Sequence, residues 1–344
     1  MPATLSIYST NSGVNLPMSD ACQQISELLR SQSTFLVLTH YRPDGDAVGS
    51  QLALVLLLRD LGKTVEAWND DEVPAKFRFL PQANLITRPP PEPKDFDVVI
   101  AIDTSTWQRV GTAAQRIGKK KHFINIDHHV SNEKFAEINW IVPEAPAAGQ
   151  IAYDLINRAG FPLTKEIATC LFAAISTDTG SFSYTGTTSE SLRVAAKLVD
   201  TGINVGEICR QVYESYPYAR LMLLQKALAQ LQLTDQRRIA YTWVTVEMFE
   251  ESGAKREDTE GLIDYARAIE GVIVALLFEE MAEPGKIRIS LRSKHPKIDV
   301  NSVARRFGGG GHREAAGARL SGEPHEIERK VLAAVSEALA AATL

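Results

Sequence analysis

Asp127-His128-His129 closes the apolar run FINI at 123–126. The same pairing of an apolar segment with polar exit residues recurs along the chain. His40, Asp44 and Asp46 follow TFLVLT, Asp103 follows VVIAI, and Asp178 ends a third apolar stretch. Imidazoles and carboxylates collected at such exits are the donor groups of a two-metal hydrolase. With no thiolate among them, they suit Mn²⁺, Mg²⁺, Fe²⁺ or Co²⁺ better than structural zinc. Two such ions about 3.5–4 Å apart, bridged by a carboxylate, would hold a hydroxide between them and clamp both oxygens of an in-line phosphoryl displacement. Each piece also has a plainer use. Asp44-Gly45-Asp46 ahead of a helix serves as cap and turn, Asp103 as a cap, Asp178 as a C-terminal turn residue. Several segments delivering such groups to one rim argue against capping alone.

A further constellation lies far along the chain, Phe307-Gly308-Gly309-Gly310-Gly311-His312, followed by AAGA at 315–318. Four glycines in a row let backbone N–H groups approach an anion or a base closely. A flexible linker is the alternative, and AAGA reads as helix-like or close-packed. Arg292 and Lys294, at the end of ISLRSK, are candidates for fixed positive charge toward phosphate.

These residues need a scaffold, and hydrophobic periodicity supplies one. Helical spacing at 21–31, the buried strand TFLVLTH, an apolar helix over 47–61 and the strand TVEAW form a β-helix-β rhythm. It continues through FDVVIAID at 96–103, a helix expected over 106–117, and HFINID at 122–127. Such alternation implies a parallel, Rossmann-like sheet with helices on both faces, whose ligands bind at the carboxyl ends of the strands. The prolines of RPPPEPKD, 88–95, make that segment a loop. Helical patterns then cover 147–158, 164–177, 188–200, 204–214 and 217–232. Strands of a second sheet follow at 237–246, 271–280 and 286–293, and an amphipathic helix ends the chain. The fold class is therefore α/β. A catalytic domain is expected over 18–200, a helical linker over 201–234, and a smaller α/β domain with a mixed sheet over 235–344.

At 344 residues the chain exceeds one compact domain of roughly 100–200 residues. Its composition, 44% hydrophobic and 23% charged, is that of an ordinary globular protein. The formal net charge of −5 argues against tight binding to long duplex nucleic acid, but a short anionic substrate held through metal ions is compatible with it. The 3 cysteines form no C-x-x-C pair, which fits a reducing cytoplasm. No apolar run approaches the ~20 residues of a membrane span, and the first residues do not read as a signal peptide. About 15 residues at the start are expected to be poorly ordered.

Together, HYRPDGDAVGS, AIDTS, NIDHHVSN and STDTGSF, followed by DVNSVARRFGGGGHREAAGA, resemble the DHH phosphoesterase superfamily with its DHH-associated C-terminal domain. The likeness runs from about Ser33 to Leu320, with five motifs in the family's order. In length and layout the chain is similar to the bacterial oligoribonuclease (nanoRNase) and phosphoadenosine phosphatase type. The resemblance implies two divalent ions, Mn²⁺ foremost, one held by His40, Asp44 and Asp103 and the other by Asp46, Asp103, His128 and Asp178. It further implies that His129 faces the scissile phosphate with Asp127 orienting a neighbouring histidine, and that Arg292, Gly309, Gly310, Gly311 and His312 hold substrate. Expected substrates are short oligoribonucleotides and 3′-phosphoadenosine 5′-phosphate. Hydrolysis of cyclic dinucleotides or pApA is a near alternative; inorganic pyrophosphatase activity and a non-catalytic nucleotide sensor are more distant ones. A homodimer is compatible with the resemblance.

Overall fold

The structure is a computed structural model that describes residues 20–342. The expectation for the first residues lies outside that range. After helix α1 (Asp20–Ser31) come β1 (Thr34–Leu38), α2 (Gly45–Asp60), β2 (Thr64–Trp68), β3 (Ile86–Thr87), β4 (Lys94–Ile102), β5 (Ile117–Asp127) and β6 (Ile138–Ile141). Among the described residues these strands make one sheet of order β3-β2-β1-β4-β5-β6, and every pairing in it is parallel.

A parallel sheet must be covered on both faces, which is why its central strands are continuously apolar. Phe35, Val37, Val98 and Ile100 point into the main core with α1 and α2 and with two later helices, α3 (Ala148–Arg158) and α4 (Lys165–Asp178). Leu36, Leu38, Trp68 and Val99 point the other way, against Val110 and Ala113. The helix expected over 106–117 is absent here. Trp107–Arg116 forms 3₁₀ turns broken at Gly111 (φ 75°), and the Asp70 carboxylate accepts the amides of Thr112 (2.6 Å) and Ala113 (2.8 Å). Gly111 has to be glycine on two counts, its left-handed φ and the Asp70 carboxylate packed where a Cβ would sit.

Helices α5 (Ser189–Asp200), α6 (Val205–Tyr213) and α7 (Tyr218–Ala229) follow. The helical stretch divides by its packing: Ile208 and Val212 of α6 join the first core, whereas Leu223 and Ala227 of α7 join a core on the second sheet. That sheet is built from β7 (Gln232–Thr234), β8 (Ile239–Val244), α8 (Val246–Ser252), α9 (Leu262–Arg267), β9 (Val274–Glu280), β10 (Lys286–Ser293), α10 (Val300–Arg305), β11 (Gly310–Gly311), β12 (Ala315–Ser321) and α11 (Pro324–Ala341). Its order is β11-β12-β10-β9-β8-β7; β8 and β9 are parallel and the other pairs antiparallel, a mixed sheet. AAGA, read as helix-like, opens strand β12 instead, because Ala315–Ala318 pairs residue by residue with Arg292–Ile289 of β10. No described helix is long and apolar enough to cross a membrane.

Candidate metal centre and cleft

Sheet order places the site. The chain leaves β1 toward β2 on one side and β4 toward β5 on the other, so the carboxyl ends of β1 and β4 flank the point where strand order reverses. His40 follows β1, Asp103 follows β4 and Asp127 ends β5. Asp103 is held at φ 53°, a left-handed conformation that costs most residues about 1–2 kcal/mol and aspartate less.

Helix packing supplies the remaining groups. Asp44 is the N-cap of α2: its Oδ1 accepts the Ala47 amide at 3.0 Å while Oδ2 lies 3.9 Å from His40 Nε2. Cap and candidate ligand are thus two ends of one carboxylate. Asp46 is fully buried and accepts the amides of Ala148 (2.6 Å) and Gly149 (2.8 Å) at the N-terminus of α3. A Cβ on Gly49 would come within 2.5 Å of the Cys170 carbonyl, one on Gly45 would strike Thr177, and one on Gly149 would lie 2.6 Å from the Ala174 methyl. These absent side chains let α2, α3 and α4 approach closely, which brings Asp178 at the end of α4 beside Asp46.

The donors converge on Asp103. Its Oδ2 is 3.5 Å from His40 Nε2 and its Oδ1 is 3.5 Å from His128 Nε2. His128 Nε2 also lies 3.5 Å from Asp178 Oδ2 and 3.7 Å from Asp46 Oδ2. His40–Asp44–Asp103 and Asp46–His128–Asp178 are therefore two donor sets with Asp103 between them. Both histidines are turned as a ligand needs. Nδ1 faces a carbonyl, Tyr41 at 2.8 Å for His40 and Ala145 at 3.2 Å for His128, which leaves Nε2 pointing inward.

A metal fits these residues. Asp103 Oδ1 is buried without a hydrogen-bond partner, a state that normally costs ~1–3 kcal/mol. Separations of 3.5–3.9 Å are too long for hydrogen bonds, yet donors sharing one ion through bonds of about 2.1 Å sit roughly 3–3.5 Å apart. The electrostatics agree. Burial, reinforced by Asp103 and Asp178, raises Asp46 well above the usual carboxylate range, and burial with Asp44 and Asp103 pushes Asp178 up to about 7. Asp103 goes the other way: burial opposes its ionisation, but His128 and His40 hold it well below the usual range. His128 is raised against burial by Asp103, Asp178 and Asp46. Four acids against two inward imidazoles leave an excess of negative charge that divalent cations would relieve.

His129 lies beside this group. Its Nδ1 donates to Asp127 Oδ1 at 2.8 Å, and Asp127 Oδ2 in turn accepts from Asn132 at 2.6 Å. Asn132 also reaches Asn125 Oδ1 (2.8 Å) and the Thr104 carbonyl (3.2 Å). Sequence reasoning passed over Asn132, although it is the last residue of the quoted NIDHHVSN. From the second sheet His312 stacks on His129, ring centroids 4.3 Å apart, and lies 5.0 Å from His128. Burial and these two imidazoles lower the His312 pKa well below its ordinary value. Thr185 bridges to Glu314 across the same cleft at 2.6 Å.

The glycine loop is shaped by its own backbone pairing. The amides of Gly309 and His312 are already spent on the carbonyls of Ala304 (3.0 Å) and Ala315 (2.7 Å). A side chain on Gly309 would meet the backbone of Gly317, and one on Gly311 (φ 143°) the carbonyl of Ala315. Gly309 and Gly311 let β11 lie against β12 and so aim His312; Gly310 stays open. Arg292 is half-buried on β10, opposite Ala315, while Lys294 is exposed and donates to the Ile269 carbonyl at 2.8 Å, away from the site.

Comparison with known proteins gives a consistent picture. Residues 34–175 match the "DHH family, N-terminal domain" and residues 236–341 the "DHHA1 domain". The chain is 33% identical, over 92% of its length and 93% of the relative's, to a bifunctional oligoribonuclease and PAP phosphatase from Thermus thermophilus. An exopolyphosphatase-related protein from Bacteroides fragilis superposes with a TM-score of 0.85 at 25% identity, covering 94% of this chain and 98% of that one. RecJ from Thermus thermophilus, crystallised with Mn²⁺, shares the fold at a TM-score of 0.51 and 16% identity over 94% of this chain and 55% of its own.

Proposed function

We infer the reaction from one premise: the chain belongs to the DHH family of phosphoesterases, with a DHHA1 domain over residues 236–341, and is a hydrolase of phosphoester bonds. Its substrates in this reading are short oligoribonucleotides and 3′-phosphoadenosine 5′-phosphate. One observation carries the proposal. His312, from the loop beside the second sheet, meets His129 at the edge of the carboxylate–imidazole cluster, so the hydrolytic groups and the loop that carries His312 face one cleft. The Thermus relative named for both activities, matched nearly end to end, supports it.

In this reading His40, Asp44 and Asp103 hold one divalent ion and Asp46, Asp103, His128 and Asp178 a second, with Mn²⁺ the first choice for both. Bound there, the ions supply Lewis acidity, lowering the pKa of water toward neutrality and neutralising phosphoryl charge. The protein's own groups do the rest. The Asp127 carboxylate accepts from His129 Nδ1 and fixes the ring, so that Nε2 is the nitrogen left to meet an oxygen of the reacting phosphate. Arg292 and His312 hold the nucleotide that is not being cut. Such a grip covers few nucleotides, which favours short substrates.

A panel tests this. Purified protein with Mn²⁺ is offered 3′-phosphoadenosine 5′-phosphate, pApA, a cyclic dinucleotide, RNAs of increasing length and pyrophosphate. Rapid turnover of the first substrate and of short RNA, with Asp103→Ala inactive, is the expected result. Equal rates on short and long RNA, or turnover retained in Asp103→Ala, would overturn it.

A further inference from the structure

Helices α10 and α11 cover one face of the second sheet; α7, α8 and α9 pack on the other, their apolar contacts lying on β8 and β9. On the remaining half, β10 alternates. Ile287, Ile289 and Leu291 enter the core, so Arg288, Ser290 and Arg292 share the opposite face. Their partners on β12 are Arg319, Gly317 and Ala315. The strip is therefore cationic at both ends with small side chains between them. One end adjoins the loop carrying His312. The other lies four residues along β10, about 13 Å from the first.

The far end concentrates positive charge. Arg288 and Arg319 are direct cross-strand partners, a like-charge pairing that weakens a sheet. Buried Glu279 pairs with Arg288 at 3.3 Å but also with Arg256 at 3.1 Å. From the first sheet's side, Tyr41 lies under the Arg319 guanidinium, 5.2 Å to the ring centroid, and Arg42 comes next in the chain. Arg42 is held at φ 52° and its amide is pinned by the Asp71 carboxylate at 2.7 Å. Arg288 and Arg319 thus face the Tyr41-Arg42 turn across the cleft, with Arg42 on a left-handed backbone.

We propose that Arg42, Arg288 and Arg319 form a second anion subsite, which receives a backbone phosphate of an oligoribonucleotide a few residues beyond the bond being cut. The proposal rests on the oligonucleotide reading above and adds a length dependence to it: a five-residue RNA reaches the subsite and 3′-phosphoadenosine 5′-phosphate does not.

The test compares the wild type with Arg42→Ala/Arg319→Ala. Fluorescence anisotropy of 3′-fluorescein-labelled pA5 is measured in EDTA across a salt series, and turnover of pA5 and of 3′-phosphoadenosine 5′-phosphate is measured with Mn²⁺. Losing two phosphate contacts should lower the slope of log K against log salt by roughly 1.4, at about 0.7 per contact for a single strand. Binding of pA5 should weaken at least tenfold with a matching rise in KM, while turnover of the mononucleotide stays within twofold. Arg42→Lys/Arg319→Lys should restore most of the binding, which separates loss of charge from loss of fold. Unchanged pA5 affinity, or an equal loss on both substrates, would overturn the subsite. Wild-type protein that binds pA5 through these arginines but hydrolyses neither substrate would overturn the activity and leave the subsite standing.

Discussion

Replacing Asp127 with asparagine separates positioning of His129 from metal binding. The wild-type carboxylate accepts twice, from His129 Nδ1 at 2.8 Å and from Asn132 Nδ2 at 2.6 Å. An amide has one acceptor oxygen. If that oxygen faces His129, the new NH₂ meets the NH₂ of Asn132, which is itself tied to Asn125 and the Thr104 carbonyl. If it faces Asn132, the NH₂ meets His129 and forces the other tautomer. Either way a charge-assisted bond worth about 1.5–3 kcal/mol is lost. If the ring's orientation matters only in the transition state, kcat falls roughly 10- to 150-fold. Steady-state kinetics on 3′-phosphoadenosine 5′-phosphate should show that fall with KM nearly constant, and elemental analysis should find bound Mn²⁺ unchanged. A kcat within twofold of wild type, or a loss of bound metal, would refute the role of Asp127.

Further outcomes follow from burial and packing. In the metal-free protein Asp178 is pushed up to about 7 and Asp46 is raised too, so protons must leave when cations bind. Mn²⁺ affinity should rise between pH 6 and 8, and calorimetry in buffers of different ionisation enthalpy should detect the released protons; a pH-independent affinity would contradict this. Gly149→Ala places a methyl 2.6 Å from the Ala174 Cβ and 3.3 Å from Asp46 Oδ1. Overpacking of this kind costs about 1–3 kcal/mol, read as a lower Tm together with weaker metal binding; an unchanged Tm would show that α3 and α4 can separate freely. Burial, against Arg158 and with Glu190, raises Asp154 to about 6. Since its folded pKa exceeds the unfolded one, the cost is absent below about pH 4 and complete above about pH 6. Asp154→Asn should therefore stabilise by up to about 3 kcal/mol at pH 7.5 and by nothing at pH 4, in denaturant melts.

His40, Asp103 and Asp127 could be placed from sequence because each follows an uninterrupted apolar strand, and a parallel sheet sends all such exits to one edge. Asp178 was harder. Its approach to Asp46 depends on three glycines at a helix contact, and no periodicity announces which helices touch. The turns at Trp107–Arg116 defeated helical spacing through one glycine with positive φ and one carboxylate from a distant loop. AAGA carries little strand propensity and becomes a strand only because β10 offers a partner. In KIRISLRS the alternation is plain, and it places Arg288 with Arg292; that the apolar core on their face stops at β9 is a tertiary fact.

Asp103 also limits how this protein can change through time. Its backbone sits at φ 53°, where asparagine, aspartate and glycine are at ease and branched residues are not. A single base change in an aspartate codon reaches asparagine and glycine, which tolerate the backbone but bring no charge. It also reaches glutamate, which keeps the charge but carries it one methylene farther, away from His40 and His128. The remaining neighbours, alanine, valine, histidine and tyrosine, supply no carboxylate at all. No one-step replacement preserves conformation and carboxylate position together, so a lineage that loses this residue regains the site only by reverting.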